Sequence, residues 1–306
     1  MLRAFFIWLS ESRSLRGFAE RSAAGQKMSQ RFVAGTQVQD ALRATQAVNE
    51  WGAGVSIDNL GENVTNIEEA KQSAALYHQL LDLIGERKLN ANVSVKLTHM
   101  GLDVDEKFAY DNVTSLVQHA VRLKSFVRVD MEGSPYTQRT LDFVHRLHRD
   151  PANDDAVGAV IQSYMRRAEA DVEKLLAERI RIRLCKGAYK EPPEVAFQKK
   201  AEVDANYVKL TKVLLKSGVY HGIASHDENI IRQAVAFARA ENVPATAFEF
   251  QMLHGIRRDL QQQLVKDGWR VRVYIPFGTE WYPYLMRRLA ERPANALFIA
   301  KNILRG

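Results

Sequence analysis

The chain has 306 residues, 46% hydrophobic and 26% charged, the balance of a soluble globular protein with material for one large core or two ordinary ones. Its formal net charge is +7 and its pI about 9.4, but the bases are interspersed with acids, as in "MRRAEADVEKLLAERIRIR" (165–183). With no basic run interleaved with aromatics, nucleic-acid binding is set aside; attraction to an acidic lipid surface stays open, and a lone cysteine, Cys185, excludes an internal disulfide and a cysteine metal site and fits a reducing compartment.

The first fifty residues have helical character. Their apolar stretch, Ala4 to Leu9, is about six residues, too short for a signal core or a membrane span. An amphipathic helical arm over 1–50 is expected, packed on a single catalytic domain over 51–306. From there short β-branched runs alternate with amphipathic helical stretches. The runs are "GAGVSID" (52–58), "NANVSVK" (90–96), "SFVRVD" (125–130), "VGAVIQ" (157–162), "RIRIRLC" (179–185), "YHGIAS" (220–225), "ATAFEF" (245–250) and "WRVRVYI" (269–275). Stretches such as "NIEEAKQSAALYHQLLDLIGERK" (66–88) have helical periodicity. Eight strand–helix units predict an α/β fold, a parallel (β/α)8 barrel. A doubly wound sheet is the alternative, weakened because no GxGxxG turn follows the first strand.

In such a barrel the chemistry gathers where strands end. The ends read Asp58, Lys96, Asp130, Gln162, Arg183 with Lys186, Ser225 with His226, Glu249 with Gln251, and Tyr274. All eight are polar or ionisable, which predicts a functional mouth. Lys96 and Asp130 close consecutive strands and are expected to meet at the rim, as a structural ion pair or in the site. An acid beside Lys96 would keep it protonated, which argues against a Schiff-base role. Gly187 and Ala188 follow Lys186, a small-residue turn that lets backbone approach a ligand. Arg183 shares a strand face with Cys185; it points into the barrel toward an anion or an electron-rich ring, or outward to the surface.

No HExxH or similar spacing occurs, so no metal is expected, and His145 and His148 read as solvated helix residues. No GxSxG elbow is present either. Near the end, "YPYLMRRLAERPAN" (282–295) puts Tyr284, Arg287 and Arg288 on one helical face. At ~1.5 Å per residue the arginines would be carried roughly 9 Å down the outside of the barrel if that helix packed in the ordinary way. They are therefore structural, or the helix lies across the top. Glu291 could pair with Arg287 one turn on.

"SIDNLGE", "VSVKLT", "VDMEGS", "VIQSYM", "RLCKGAY", "ASHD", "FEFQMLHG", "YIPFG" and "YLMRRLAER" together resemble the proline dehydrogenases, in their short monofunctional bacterial form. The resemblance implies a FAD-dependent (β/α)8 barrel that oxidises L-proline to Δ1-pyrroline-5-carboxylate and passes electrons to a membrane quinone. It implies that the last helix lies over the mouth, with Arg287 and Arg288 holding the proline carboxylate. Tyr274 and Tyr284 would wall the ring, Leu253 would pack on its apolar edge, and Glu62 would pair with Arg287 as a gate. Lys96 and Asp130 match paired charges near the substrate, and Arg183 an arginine at flavin N5. Met131, Gln162, Lys186, Gly187, Ala188, Ser225 and His226 match FAD contacts. The fused bacterial form carries an aldehyde dehydrogenase domain for which this chain has no room, implying a separate downstream pyrroline-5-carboxylate dehydrogenase. The serine of "ASHD" stands where that form has a threonine. A cytoplasmic enzyme, peripheral at the inner face of the cell membrane, is expected. The competing readings are a methylenetetrahydrofolate reductase-like flavin barrel, a Schiff-base aldolase using Lys96 or Lys186, and a non-catalytic scaffold.

Overall fold

The computed structural model describes Ser22, Gly25 and residues 29–291, with side chains in the last helix described through Met286. Most of the segment 1–28, where the amphipathic arm is expected to begin, lies outside the described residues.

Eight strands run in chain order: β1 (Gly54–Asn59), β2 (Ala91–Val95), β3 (Val127–Val129), β4 (Val157–Gln162), β5 (Arg181–Cys185), β6 (His221–Ala224), β7 (Phe248–Leu253) and β8 (Val271–Phe277). Each pairs in parallel with its neighbours, and β1 pairs with β8, so the sheet closes into a barrel. This is the (β/α)8 fold predicted from the strand spacing, and it rules out the open doubly wound sheet. The helices are α1 (Val38–Asn49), α2 (Ile67–Glu86), α3 (Glu106–Arg122), α4 (Ser134–His148), α5 (Ala168–Ala177), α6 (Lys200–Lys216), α7 (Glu228–Ala240), α8 (Arg258–Lys266) and α9 (Trp281–Glu291). Several begin on residues suited to cap them. Asn66 accepts from the Glu69 N–H (2.9 Å), Asp105 from the Phe108 N–H (2.9 Å) and Asp227 from the Asn229 N–H (3.1 Å).

The strands alternate by the two-residue period of a pleated chain. Val55, Ile57, Val93, Val95, Val127, Val129, Ile182 and Leu184 are buried in the apolar layer between strands and helices. The intervening positions carry buried polar groups, among them Ser56, Asp58, Ser94, Arg128, Asp130, Arg183, Glu249 and Gln251, with Arg272 half-buried. The barrel interior is thus filled by polar pairs instead of the usual branched aliphatic layers. At its floor the Arg272 guanidinium donates to Glu249 Oε1 (2.7 Å), Asn92 Oδ1 (3.0 Å) and the Val55 carbonyl (2.9 Å). The Arg128 guanidinium donates to the Ala159 and Arg181 carbonyls at 2.9 and 2.6 Å. Both guanidiniums are hydrogen-bonded, which is what makes their enclosure tolerable.

Helices α1 and α9 are arranged unusually. α1 packs on β8 and β1, the outer slot that a last helix ordinarily takes. α9 packs elsewhere: Trp281, Tyr282, Tyr284, Leu285 and Met286 cluster with Phe32, Val33 and Leu60. Leu60 opens the loop after β1, at the end of the barrel where the strands terminate, so the first turns of α9 sit at the mouth. The segment before α1 is fastened there as well. The Ala34 N–H donates to the Pro276 carbonyl and the Gly278 N–H to the Gly35 carbonyl, both at 2.9 Å.

Candidate active site

Strand ends converge at the mouth. Lys96, one residue past β2, donates to both oxygens of Asp58 at 3.2 and 3.0 Å. Asp130, one residue past β3, is engaged elsewhere. Its carboxylate pairs with the Arg183 guanidinium and accepts from Ser94 Oγ (2.5 Å) and from the Tyr274 phenol (2.8 Å). The expected direct contact between Lys96 and Asp130 is therefore corrected: Ser94, Arg183 and Tyr274 occupy the Asp130 carboxylate, and the lysine turns to β1. Arg183 points into the barrel, its guanidinium over the Tyr274 ring at 5.1 Å; the outward alternative falls.

The electrostatics follow from these contacts. Burial opposes the Lys96 charge, but Asp58, Glu62 and Asp130 outweigh it and hold the ammonium protonated well above its usual range. Burial lifts the Asp58 carboxyl above the usual carboxylate range, Lys96 working against it. Burial would lift Asp130 too, yet the charges of Arg183 and Lys96 hold it below the usual range. For Arg183, burial is again overcome by Asp130, and the guanidinium keeps its proton more firmly than usual. The Tyr274 phenol is pushed far up by burial and the two aspartates, so it stays a neutral donor.

The remaining expected residues fall as follows. Glu62 is half-buried in the loop after β1, near enough to Lys96 to strengthen its hold on a proton. Met131 is buried beside Asp130. Gln162 ends β4, donates to the Glu132 carbonyl (3.0 Å) and accepts from the Ala188 N–H (3.4 Å). Lys186 is bound to Asp204 (2.6 Å) and Asp227 (3.1 Å). Gly187 has φ +118°, and a Cβ there would lie 2.3 Å from the Tyr164 ring. The tight turn is thus required by a ring of this chain as well as by any ligand. Ser225 Oγ accepts from the Asp227 N–H (3.1 Å), and His226 Nε2 from the Leu253 N–H (2.8 Å), which fixes the Leu253 backbone at the end of β7. Tyr284 is buried in the cluster with Leu60 and Phe32. Arg287 and Arg288 belong to α9, but their side chains lie outside the described residues, as does that of Glu291.

Sequence reasoning passed over three participants. Asp58 was visible as a strand end but not as the partner of Lys96. The Glu132 carboxylate accepts from the Thr98 N–H (3.2 Å) and hydroxyl (2.6 Å), and burial raises its pKa. The Tyr77 hydroxyl donates to Asp58 Oδ1 (3.3 Å) from helix α2; nothing in its helical periodicity distinguishes it from a core residue. His145 and His148, expected to be solvated, are largely shielded instead: His145 Nδ1 lies 3.1 Å from Glu178 Oε1, and His148 Nε2 2.8 Å from the Glu178 carbonyl.

A closed parallel barrel whose strand ends hold a buried, fully paired set of acids and bases defines an enzyme of the (β/α)8 class. A family model described as Proline dehydrogenase matches residues 41–301. "Proline dehydrogenase 1" of Bacillus subtilis (strain 168) is 39% identical over 306 residues, 100% of each chain. "Proline dehydrogenase" of Deinococcus radiodurans is 39% identical over 289 residues, 92% of this chain and 93% of that one. The solved structure of proline utilization A (PutA) from Bdellovibrio bacteriovorus inactivated by N-propargylglycine matches with a TM-score of 0.82 at 27% identity, over 87% of this chain and 33% of that chain. The chain thus spans about a third of that larger protein. It belongs to the proline dehydrogenase family, enzymes of the first step of proline catabolism.

Proposed function

We propose that the chain oxidises L-proline to Δ1-pyrroline-5-carboxylate with FAD as its resident group. When bound, FAD supplies the acceptor for the hydride that leaves proline C5, and a membrane quinone takes the electrons onward. The observation that carries this reading is the buried Arg183–Asp130–Tyr274 cluster at the mouth of a chain of this family. Three local features suit a flavin. Gln251 Oε1, inside the barrel, is a buried acceptor with no hydrogen-bond partner among the described residues. The Gly187 turn, with φ +118°, is a conformation that favours glycine and leaves that position without a side chain beside Lys186 and Ala188. Arg183 is fixed and charged, so it would stabilise the negative charge that a bound flavin takes on.

In this reading Gln162, Lys186, Gly187, Ala188, Ser225, His226 and Met131 hold the cofactor. Lys96 orders the substrate pocket as a fixed charge, not as a nucleophile. Both candidate Schiff-base lysines, Lys96 and Lys186, are ion-paired with carboxylates, which disfavours the aldolase alternative. Arg287 and Arg288 bind the proline carboxylate, with Glu62 pairing Arg287, while Tyr274, Tyr284 and Leu253 wall the ring. Anchoring the acid end fixes the ring carbon against the acceptor, and orientation supplies much of the rate. The arm over 1–50 packs on the barrel over 51–306, and the protein is cytoplasmic, touches the membrane peripherally and hands its product to a separate dehydrogenase. No helix of the described residues is long and apolar enough to cross a membrane.

The test is the absorbance of the purified protein. A yellow flavin spectrum that bleaches when L-proline is added supports the proposal; a colourless protein, or one whose colour proline leaves unchanged, overturns it. Arg287→Ala and Arg288→Ala should chiefly raise KM for proline, and Arg183→Ala should chiefly slow bleaching.

A further inference from the structure

In the helical layer outside the barrel, α2 and α3 meet through imidazoles. His78 on α2 and His119 on α3 bring their Nδ1 atoms to 2.8 Å. Their ring centroids are 5.0 Å apart and the planes 25° from parallel. That centroid distance is close to the nitrogen separation plus the two ring radii, so the rings meet head-on and the two Nδ1 positions face each other. Each ring's other nitrogen is occupied by the opposite helix. His119 Nε2 lies 2.8 Å from Asp82 Oδ1 on α2, and His78 Nε2 lies 3.4 Å from Ser115 Oγ on α3. Both second partners sit one helical turn from a histidine of their own helix, Asp82 after His78 and Ser115 before His119, so the contacts cross symmetrically between the helices.

The arrangement fixes the tautomers. A carboxylate oxygen can only accept, so neutral His119 carries its proton on Nε2 and presents a bare Nδ1 lone pair. His78 then lends the single proton that bridges the two rings. We propose that this pair is a binding site for a divalent first-row transition cation of the Zn2+, Ni2+ and Cu2+ group, the cation taking the place of that bridging proton. Both Nδ1 lone pairs become ligands, the His78 proton moves to Nε2 and donates to Ser115 Oγ, and water completes the coordination. The balance closes: one metal–nitrogen bond forms at each ring and no proton leaves the protein.

Imidazole is a favoured ligand for these ions, and a second hydrogen bond from each ring is the usual support for metal-binding histidines. Metal–nitrogen bonds of about 2.0–2.1 Å in a near-tetrahedral site set the nitrogens roughly 3.3 Å apart. The rings need to part by about half an ångström and tilt. His119 keeps 14% of its side-chain surface exposed and Asp82 54%, so water can reach the site. Arg122, on α3, bears on His78 as a like charge would on a bound cation, and it limits affinity. No group of three or more His, Cys, Asp or Glu is arranged for a metal among the described residues. The site is thus a two-histidine clamp, weaker than a full protein cage.

The experiment is calorimetric titration of Zn2+ alone into the purified full-length protein, stripped of metal by chelation, together with the electron paramagnetic resonance spectrum of bound Cu2+. One saturable ion per chain is expected, with splitting from two imidazole nitrogens. His78→Asn and His119→Gln should each abolish saturable binding, and Asp82→Asn should weaken it about 10–100-fold. His145→Asn, at another shielded histidine, should leave stoichiometry and affinity unchanged and serves as the control for folding and for adventitious ions. The inference is overturned if the wild type takes up no stoichiometric ion, or if both histidine variants retain it.

Discussion

Lys96 is held to Asp58 across the β1–β2 pair, 3.0 and 3.2 Å from its two oxygens. The lysine is 8% exposed and the aspartate 1%. Such a pair adds little net stability, yet breaking it leaves an uncompensated buried charge. Asp58→Asn should lower unfolding free energy in urea by about 3 kcal/mol and should bring the Lys96 pKa down toward its ordinary range. Equal midpoints for variant and wild type would show that Asp130 and Glu62 suffice to hold the ammonium.

Asp130 serves Arg183, Ser94 and Tyr274 together. Asp130→Ala should therefore damage more than one contact. We expect a stability loss of about 3–5 kcal/mol from the unpaired guanidinium, and proline oxidation slowed at least tenfold. Tyr274→Phe removes only one donor, and its cost should stay near 1 kcal/mol. Urea unfolding and steady-state kinetics on both variants check the ordering.

Gly187→Ala tests the turn after β5. Its φ of +118° is unfavourable for a side chain, and the new methyl would meet the Tyr164 ring at 2.3 Å. Destabilisation on the order of 1–3 kcal/mol is expected, with a smaller fraction of the purified protein retaining flavin. An alanine variant with wild-type melting temperature and flavin content would contradict this.

His221 lies at the start of β6, accepting the Ile182 N–H at 3.0 Å and facing Ser217 Oγ at 2.9 Å. Burial, then Arg128 nearby, lower its pKa to about 3. The folded state keeps the ring neutral while the unfolded chain protonates it near pH 6.5. Its contribution is intact above pH 6.5 and is lost as pH falls toward 3. Between pH 7 and 5 the loss is about 2 kcal/mol. His99 and His254, both lowered to about 4 chiefly by burial, act in the same direction. In His221→Asn the fall in stability from pH 7 to 5 should be smaller by that ~2 kcal/mol; denaturant titrations at the two values decide it.

Much of the barrel was legible because its strands are short alternating runs, such as "VSVK" and "VRVD", that each end on or beside a polar or ionisable residue. The paired set at the mouth followed from the same ends. What a linear reading could not resolve was partner choice. Lys96 follows β2, which is flanked by β1 and β3 alike, and only the register sets Asp58 level with Ser94. That register leaves Asp58 to the lysine, while Ser94 and Arg183 draw Asp130 away. The place of α9 was undecidable for a similar reason. It depends on whether the β8–β1 slot is already filled, and the filling helix lies more than two hundred residues away in sequence. The shielding of His145 depends on Glu178, on a different helix connection.

That α1 covers the junction of first and last strands has a consequence for how the molecule comes into being. The seam of the cylinder cannot be sheathed until β8 has been synthesised, although its cover is made before β1. During translation the apolar face of α1, with Ala41, Leu42 and Val48, must wait beside β1 without its other neighbour. Removing residues 29–50 should leave Val55 and Val273 unsheathed along the outer junction and produce a chain that gathers in inclusion bodies, even with every charged residue of the mouth in place.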